Sequence, residues 1–228
     1  LKAMESAGVE SLDKDIEEVL VARLDGEVVG TCSYGGKVIK CFAVKEEYQG
    51  EGLASKLLSR INNIMFDKGI EHTFVFTKLL NRYIFEQFGY REVYSTKDVA
   101  LLEAGSHNIE KYIKSVYQNT LMGNEEKAAI VMNCNPFTLG HRYLIEKASR
   151  ENNTVIVFIV EEDRSSFPFD VRYDLVRKGV SHLKNVYVVP GGDYIIASST
   201  FPSYFIKEEE AKDRAYKELD AGIFGKYI

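Results

Sequence analysis

The sequence predicts an α/β protein of two successive domains. The first is a mixed sheet carrying two helices, and the second a parallel sheet with crossover helices. Three observations predict this. The first half opens on a hairpin signal and continues with strands interrupted by only two helical runs. The second half alternates β-rich runs with amphipathic helices, as a parallel sheet requires. Between them lies "GSHNIEKYIKSVYQNTLMGNEE", a polar stretch with one amphipathic helix and a Gly-Asn turn. The domains are placed at 1–106 and 127–228, with residues 107–126 as a linking helix.

The elements follow in order. "EVLVARLDGEVVGTCSY" alternates around Asp25-Gly26, a two-residue hairpin turn. "KVIKCFAV" (37–44) is a β-rich run. Residues 52–69 place Leu53, Leu57, Leu58, Ile61, Ile64 and Met65 at helical spacing, and Gly69 stops the helix. "HTFVFT" (72–77) is a strand, 81–89 a short helix, and "REVYS" and "DVALLEA" two further strands. In the second half the strands are 127–133, 154–160 and 186–190, and the helices about 140–151 and 170–181. The final "AYKELDAGIFGKYI" reads as helix and loop without a closing strand, and with a first residue Leu1 both ends read as cut.

Composition excludes several function classes. With 28% charged and 45% hydrophobic residues, the chain of 228 has ordinary globular composition. A formal charge of −5 argues against broad nucleic-acid or anionic-membrane binding, though not against one local phosphate site. No apolar run is long enough to span a membrane, and no signal-peptide pattern opens the chain. Cys32, Cys41 and Cys134 are too scattered for a disulfide framework, so a reducing cytoplasm is the expected compartment. The four histidines form no metal-ligand pattern with cysteine, so no resident metal is expected.

The first chemical constellation is "YQGEGLASKLL". Gln49, Gly50, Gly52 and Ala54 follow a strand and open a helix. The glycines let the backbone approach a phosphate, and free N–H groups at the helix start point at it. The same residues also suit an unliganded turn. The order of hairpin, strand, this loop, helix, strand and "NRYIFEQFGY" resembles the GCN5-related N-acetyltransferase fold over about residues 10–103, with Asn81 and the Phe-Gly-Tyr ending at Tyr90 matching its second half. That resemblance implies a site for the pyrophosphate of a coenzyme-A-like arm at Gln49, Gly50, Gly52, Ala54 and Asn81. One departure matters. Where working acetyltransferases carry a tyrosine as general acid, this chain has Phe85, which has no proton to give.

The second constellation is "IVMNCNPFTLGHRYLIEKA", residues 130–148. His141 stands at a helix N-terminus, where the macrodipole disfavours positive charge. Either it is a neutral cap or something strongly negative sits there. Asn-Pro-Phe-Thr-x-Gly-His between strand and helix resembles the nucleotidyltransferase signature (His/Thr)-x-Gly-His, with Thr138 first and His141 last. The resemblance implies attack on the α-phosphate of ATP with loss of pyrophosphate. Thr138, His141 and Arg164 would be catalytic. Asn133, Asn135, Pro136, Phe137, Gly140, His141 and Arg172 would bind the nucleotide. Arg164 and Arg172 come from "VEEDRSSFPFDVRYDLV", where the superfamily places a basic residue after the second strand and an arginine at the next helix. The superfamily's later Ser-(Ser/Ala)-x-x-x-Arg-type motif is not found; "ASSTFPS" lacks the arginine, so this domain is expected to be C-terminally incomplete.

The pairing of the two domains, with "VEEDRSSFPFDVRYDLVRKGV" and "PGGDYIIASSTFPSYFIKEE", resembles the citrate lyase ligase family. That likeness implies an AMP-forming acid-thiol ligase using ATP and Mg²⁺. Acetate becomes acetyl-adenylate, and the prosthetic-group thiol of the citrate lyase acyl carrier subunit then takes the acetyl. Three alternatives stand beside it: an adenylyltransferase of the pantetheine-phosphate or nicotinamide-mononucleotide type, a coenzyme-A-binding N-acetyltransferase, and a non-catalytic nucleotide-binding module.

Overall fold

The computed structural model describes residues 16–120, 126–161, 166–195, 201, 205–206 and 208–228. Contacts divide it into two compact units, residues 1–108 with 196–223 and residues 109–195 with 224–228.

In the first unit, β1 (Glu18–Leu24) and β2 (Glu27–Gly35) form the expected hairpin. Asp25 and Gly26 both take positive φ, 49° and 84°, the twist that a two-residue turn between right-twisted strands needs. β3 (Val38–Val44) pairs with β2. Then come α1 (Leu53–Asp67), β4 (His72–Lys78), α2 (Arg82–Glu86), β5 (Arg91–Ser95) and β6 (Val99–Gly105). The sheet order is β1-β2-β3-β4-β6-β5. All its pairings are antiparallel except β3 with β4, which is parallel and registered only at Val38 with Phe74 and Ile39 with Val75. Beyond those residues the two strands are no longer ladder partners. β3 also carries an irregularity opposite Thr31–Ser33, where Cys41 takes a φ of 49°.

α1 buries Leu57, Leu58, Ile61 and Met65, the stripe its spacing predicted. The same core takes Cys32, Tyr34, Val75, Phe85 and Leu102 from the sheet and α2. Residues 196–223 group with this unit although they follow the other in sequence. Phe201 meets Phe74 edge-on at 5.6 Å, and Tyr216 stacks on Phe76 at 5.8 Å.

β6 ends at Gly105 with φ +123°, and a β-carbon there would lie 1.8 Å from the Glu71 carbonyl oxygen. Only glycine fits that approach. Gly105→Ala is expected to lower stability by about 2–4 kcal/mol, from strain and overpacking together. Urea unfolding followed by far-UV circular dichroism reads it as a lower midpoint.

The second unit begins with α3 (Ile109–Thr120). Strands β7 (Ala128–Met132), β8 (Val155–Ile159) and β9 (Val186–Pro190) form a parallel sheet in that order. They alternate with α4 (Leu139–Glu151) and α5 (Phe169–Gly179). All five β8 residues are buried, as for a strand covered on both faces. Val155, Val157 and Ile159 face Ile145 and Val176, while Ile156 and Phe158 face Val116. That alternation is the period of two. Each such side chain contributes on the order of 1.5–3 kcal/mol by burial.

The last element, α6 (Glu209–Tyr227), is one continuous helix where the sequence reading expected helix and loop. At Gly222 a β-carbon would lie 2.0 Å from the Tyr94 ring, so the missing side chain serves packing rather than a turn.

Candidate functional site

The loop after β7 carries the densest set of bonds. Thr138 is the N-cap of α4, and its hydroxyl accepts the His141 backbone N–H at 3.4 Å. His141 Nδ1 in turn accepts the Thr138 backbone N–H at 3.0 Å and lies 2.9 Å from the Thr138 hydroxyl. Together these form a capping box with histidine in the usual glutamate position. The consequence is chemical. An Nδ1 that accepts a backbone N–H carries no proton, so the neutral ring holds its proton on Nε2. The imidazole is thereby fixed as an Nε2–H donor at a helix N-terminus, beside backbone N–H groups with no intrahelical partner.

The loop is braced from behind. Phe137 lies nearly parallel to the His141 ring, at 6.1 Å and 16°. Its edge rests on Gly179 of α5, where a β-carbon would come within 2.3 Å. The Asn135 side-chain oxygen accepts the Phe167 N–H at 3.0 Å, and the Asn135–Pro136 bond is cis. Gly140 is exposed, with only the Thr138 hydroxyl near its position. Cys134 is buried with φ 51°, and burial pushes its thiol up to about 11 against the opposing pull of Arg172.

Arg172 is 0% exposed. Its guanidinium donates to the Asn133 carbonyl at 2.6 Å, the Asn133 side-chain oxygen at 2.8 Å, the Val160 carbonyl at 2.9 Å and the Phe167 carbonyl at 2.9 Å. It ties the carboxyl ends of β7 and β8 to the segment entering α5. The structure gives it a positioning geometry from below the loop, rather than an exposed phosphate-facing one. Asn133, Asn135 and Arg172 thus form one hydrogen-bonded set through Phe167, and Phe137, Thr138 and His141 a second along the same loop. Arg164 lies outside the described residues.

Sequence reading missed three contributors. Phe167 both donates to Asn135 and accepts from Arg172, through its backbone, which no side-chain pattern encodes. Gly179 drew no notice within the expected helix 170–181, yet it makes room for the Phe137 ring. Glu161 accepts the Gly192 N–H at 2.8 Å beside the end of β9.

In the first unit, the Gln49 side chain donates to the Val44 carbonyl at 3.2 Å, tying the loop back to β3. Gly50 and Gly52 take φ of +84° and +78°, and Gly52 is the N-cap of α1. A β-carbon at either would meet nothing, so glycine is required there by conformation and not by crowding. Ala54 is half-buried in the first turn of α1, and Asn81 is exposed where α2 begins. Phe85 is buried between Phe42 (5.5 Å) and Tyr90 (6.1 Å). The Tyr90 hydroxyl is held by Thr73 and Asn62, and burial pushes it up to about 12. Neither ring is placed as a proton donor. Among the described residues no group of three or more His, Cys, Asp or Glu could hold a metal ion, and no helix is long and apolar enough to cross a membrane.

Residues 127–228 match the family described as citrate lyase ligase C-terminal domain, and residues 15–92 the acetyltransferase (GNAT) domain. The [citrate [pro-3S]-lyase] ligase of Escherichia coli (strain K12) is 36% identical over 219 residues, covering 96% of this chain and 62% of that protein. That of Klebsiella pneumoniae is 34% identical over 215 residues, covering 94% and 63%.

The chain is a homologue of the citrate lyase ligases. It spans 62–65% of the length of three such ligases, those of Escherichia coli, Klebsiella pneumoniae and Haemophilus influenzae. The first unit of this citrate lyase ligase homologue is a GNAT-like mixed sheet, and the second a parallel sheet with helices. A GNAT family acetyltransferase from Elizabethkingia anophelis with acetyl-CoA bound is 17% identical, with a TM-score of 0.35 over 40% of this chain and 77% of that one. The GNAT domain of S. lividans PAT is 25% identical, with a TM-score of 0.35 over 39% and 60%. Neither likeness bears on the assignment.

Proposed function

We propose that the second unit binds ATP at the loop from Asn133 to His141 and joins acetate to its α-phosphate. The observation that carries this is the Thr138–His141 capping box, which fixes an Nε2–H donor at a helix N-terminus. An acetate oxygen attacks the α-phosphorus, the bridge to the β-phosphate breaks, and pyrophosphate leaves. Negative charge grows on the bridging oxygen and the leaving group. His141 Nε2–H, the Thr138 region and the α4 backbone N–H groups supply preorganised donors to it. Arg164 adds positive charge from the β8–α5 connection, and Arg172 holds the loop's shape. Mg²⁺, bound with the triphosphate, would offset its charge.

The acetyl-adenylate then meets the thiol of the carrier subunit's prosthetic group on citrate lyase. The thiol gives up its proton to solvent, the sulfur attacks the acyl carbon, the bond to AMP breaks with its electron pair leaving on AMP, and the lyase carries an acetyl thioester. The names of the relatives support citrate lyase as partner. The GNAT-like unit suits the coenzyme-A-like arm that presents this thiol. Its motive is the Gln49–Gly52 loop at the mouth of the parting β3 and β4, with Phe85 in place of a general acid. Gly52→Glu is expected to weaken use of the carrier thiol at least tenfold while leaving adenylate formation unchanged. An unchanged thiol step sinks the arm-docking role.

The acceptor is tested by exchange of labelled pyrophosphate into ATP, with acetate, pantetheine phosphate or nicotinamide mononucleotide. Acetate-dependent exchange supports the ligase. Exchange only with a phosphate-bearing acceptor favours an adenylyltransferase instead.

A further inference from the structure

The first unit contains a cavity of about 420 Å³ that the proposed chemistry does not use. It lies where β4 ends, between the Leu79–Asn81 turn, the β5–β6 turn and the start of α6. Its apolar wall is Leu79, Val99, Phe205 and Ile206. That size and that lining suit a small-molecule site, which is mostly apolar with a few placed polar groups.

Charge gives the ligand its sign. Lys78, Lys97 and Arg214 stand at the cavity, against Asp98 and Glu208. Arg214 lies 3.9 Å from Asp98, so that pair offsets itself and leaves two lysines against one glutamate. The β5–β6 turn at the rim is hydrogen-bonded in place. The Thr96 hydroxyl accepts the Asp98 and Val99 N–H groups at 3.3 and 3.2 Å, and the Leu79 N–H donates to the Asp98 carbonyl at 2.9 Å. Lys97 is therefore presented from a pinned turn, and Lys78 from a strand end. Leu80 is 82% exposed at the same place, an apolar side chain that the fold itself leaves without cover.

We propose that this cavity binds a small amphiphilic carboxylate, its hydrocarbon body on the apolar wall and its carboxylate between Lys78 and Lys97. The site goes beyond the adenylyl chemistry and does not depend on it.

Titration calorimetry on the chain, with hexanoate as probe, tests it. Saturable binding is expected, at least tenfold tighter than for hexylamine, which has the body and the opposite charge. Acetate, which lacks the body, is expected to bind this site at least tenfold more weakly too, which separates it from any acetate pocket in the second unit. Ala211→Trp fills the cavity and is expected to abolish binding. Leu80→Asp puts a like charge beside the carboxylate at an exposed position that the core does not need, and is expected to weaken hexanoate at least tenfold with unchanged circular dichroism. Hexylamine binding as well as hexanoate overturns the charge assignment. Hexanoate binding unaltered in both variants overturns the location, and no saturable binding overturns the site.

Discussion

Arg172→Ala is expected to lower the stability of the second unit by about 3–5 kcal/mol, among the largest effects open to a single substitution here. The side chain is 0% exposed and donates to four acceptors on Asn133, Val160 and Phe167. Hydrogen bonds from a charged donor are worth about 1.5–3 kcal/mol each, and buried acceptors left without partners add a desolvation cost. The bonds share one donor group and do not sum in full. Truncation also leaves a cavity below the loop. Arg172→Met separates the two contributions, since it restores most of the volume and none of the bonds. It should recover only about 1–2 kcal/mol, the packing part. Chemical denaturation of the two variants reads the difference directly. If Arg172→Met matches the parent, the guanidinium is not what holds β7, β8 and the α5 entry together.

His141→Ala is expected to reduce acetate-dependent pyrophosphate exchange by about 10- to 100-fold, the loss of one charge-assisted donor of about 1.5–3 kcal/mol. The ring is partly exposed, so folding should survive, with a small cost from the lost half of the capping box. His141→Asn is the sharper variant. Its side chain can accept the Thr138 N–H and so keep the cap, yet it does not reproduce the imidazole Nε2–H. A rate near that of His141→Ala assigns the effect to the Nε2 donor. Restored exchange assigns it to the cap, and the proposed role for His141 is then lost.

Much of the fold was legible because its signals are local. The Asp25-Gly26 turn, the α1 stripe and the three strands of the second unit follow from chirality and periodicity within a few residues. The candidate site was half legible. Thr138, Gly140 and His141 lie within one turn of helix, so their spacing alone places them together. Arg172 was found as a residue but not as a geometry. Burying an arginine depends on three backbone carbonyls, five, twelve and 39 residues earlier, and nothing in "FDVRYDLV" announces them. Phe201 and Tyr216 were unreadable for the same reason: their partners, Phe74 and Phe76, lie well over a hundred residues earlier. The role of Gly222 was unreadable too, since helix propensity counts the cost of a glycine and is blind to the ring of Tyr94 that needs the space.

The short parallel pairing of β3 with β4 has a mechanical meaning. The first sheet is two antiparallel trios, β1-β2-β3 and β4-β6-β5, and two registered pairs are all the backbone seam between them. What joins the trios is the cluster that α1 buries, where Leu58 and Ile61 meet Cys32 and Ile39 from one trio and Val75 and Leu102 from the other. Cohesion within each trio comes from backbone hydrogen bonds, and cohesion between them from oil. The two respond differently to conditions. Cooling weakens apolar burial, so the seam, and not the ladders, is where this sheet should first loosen in the cold.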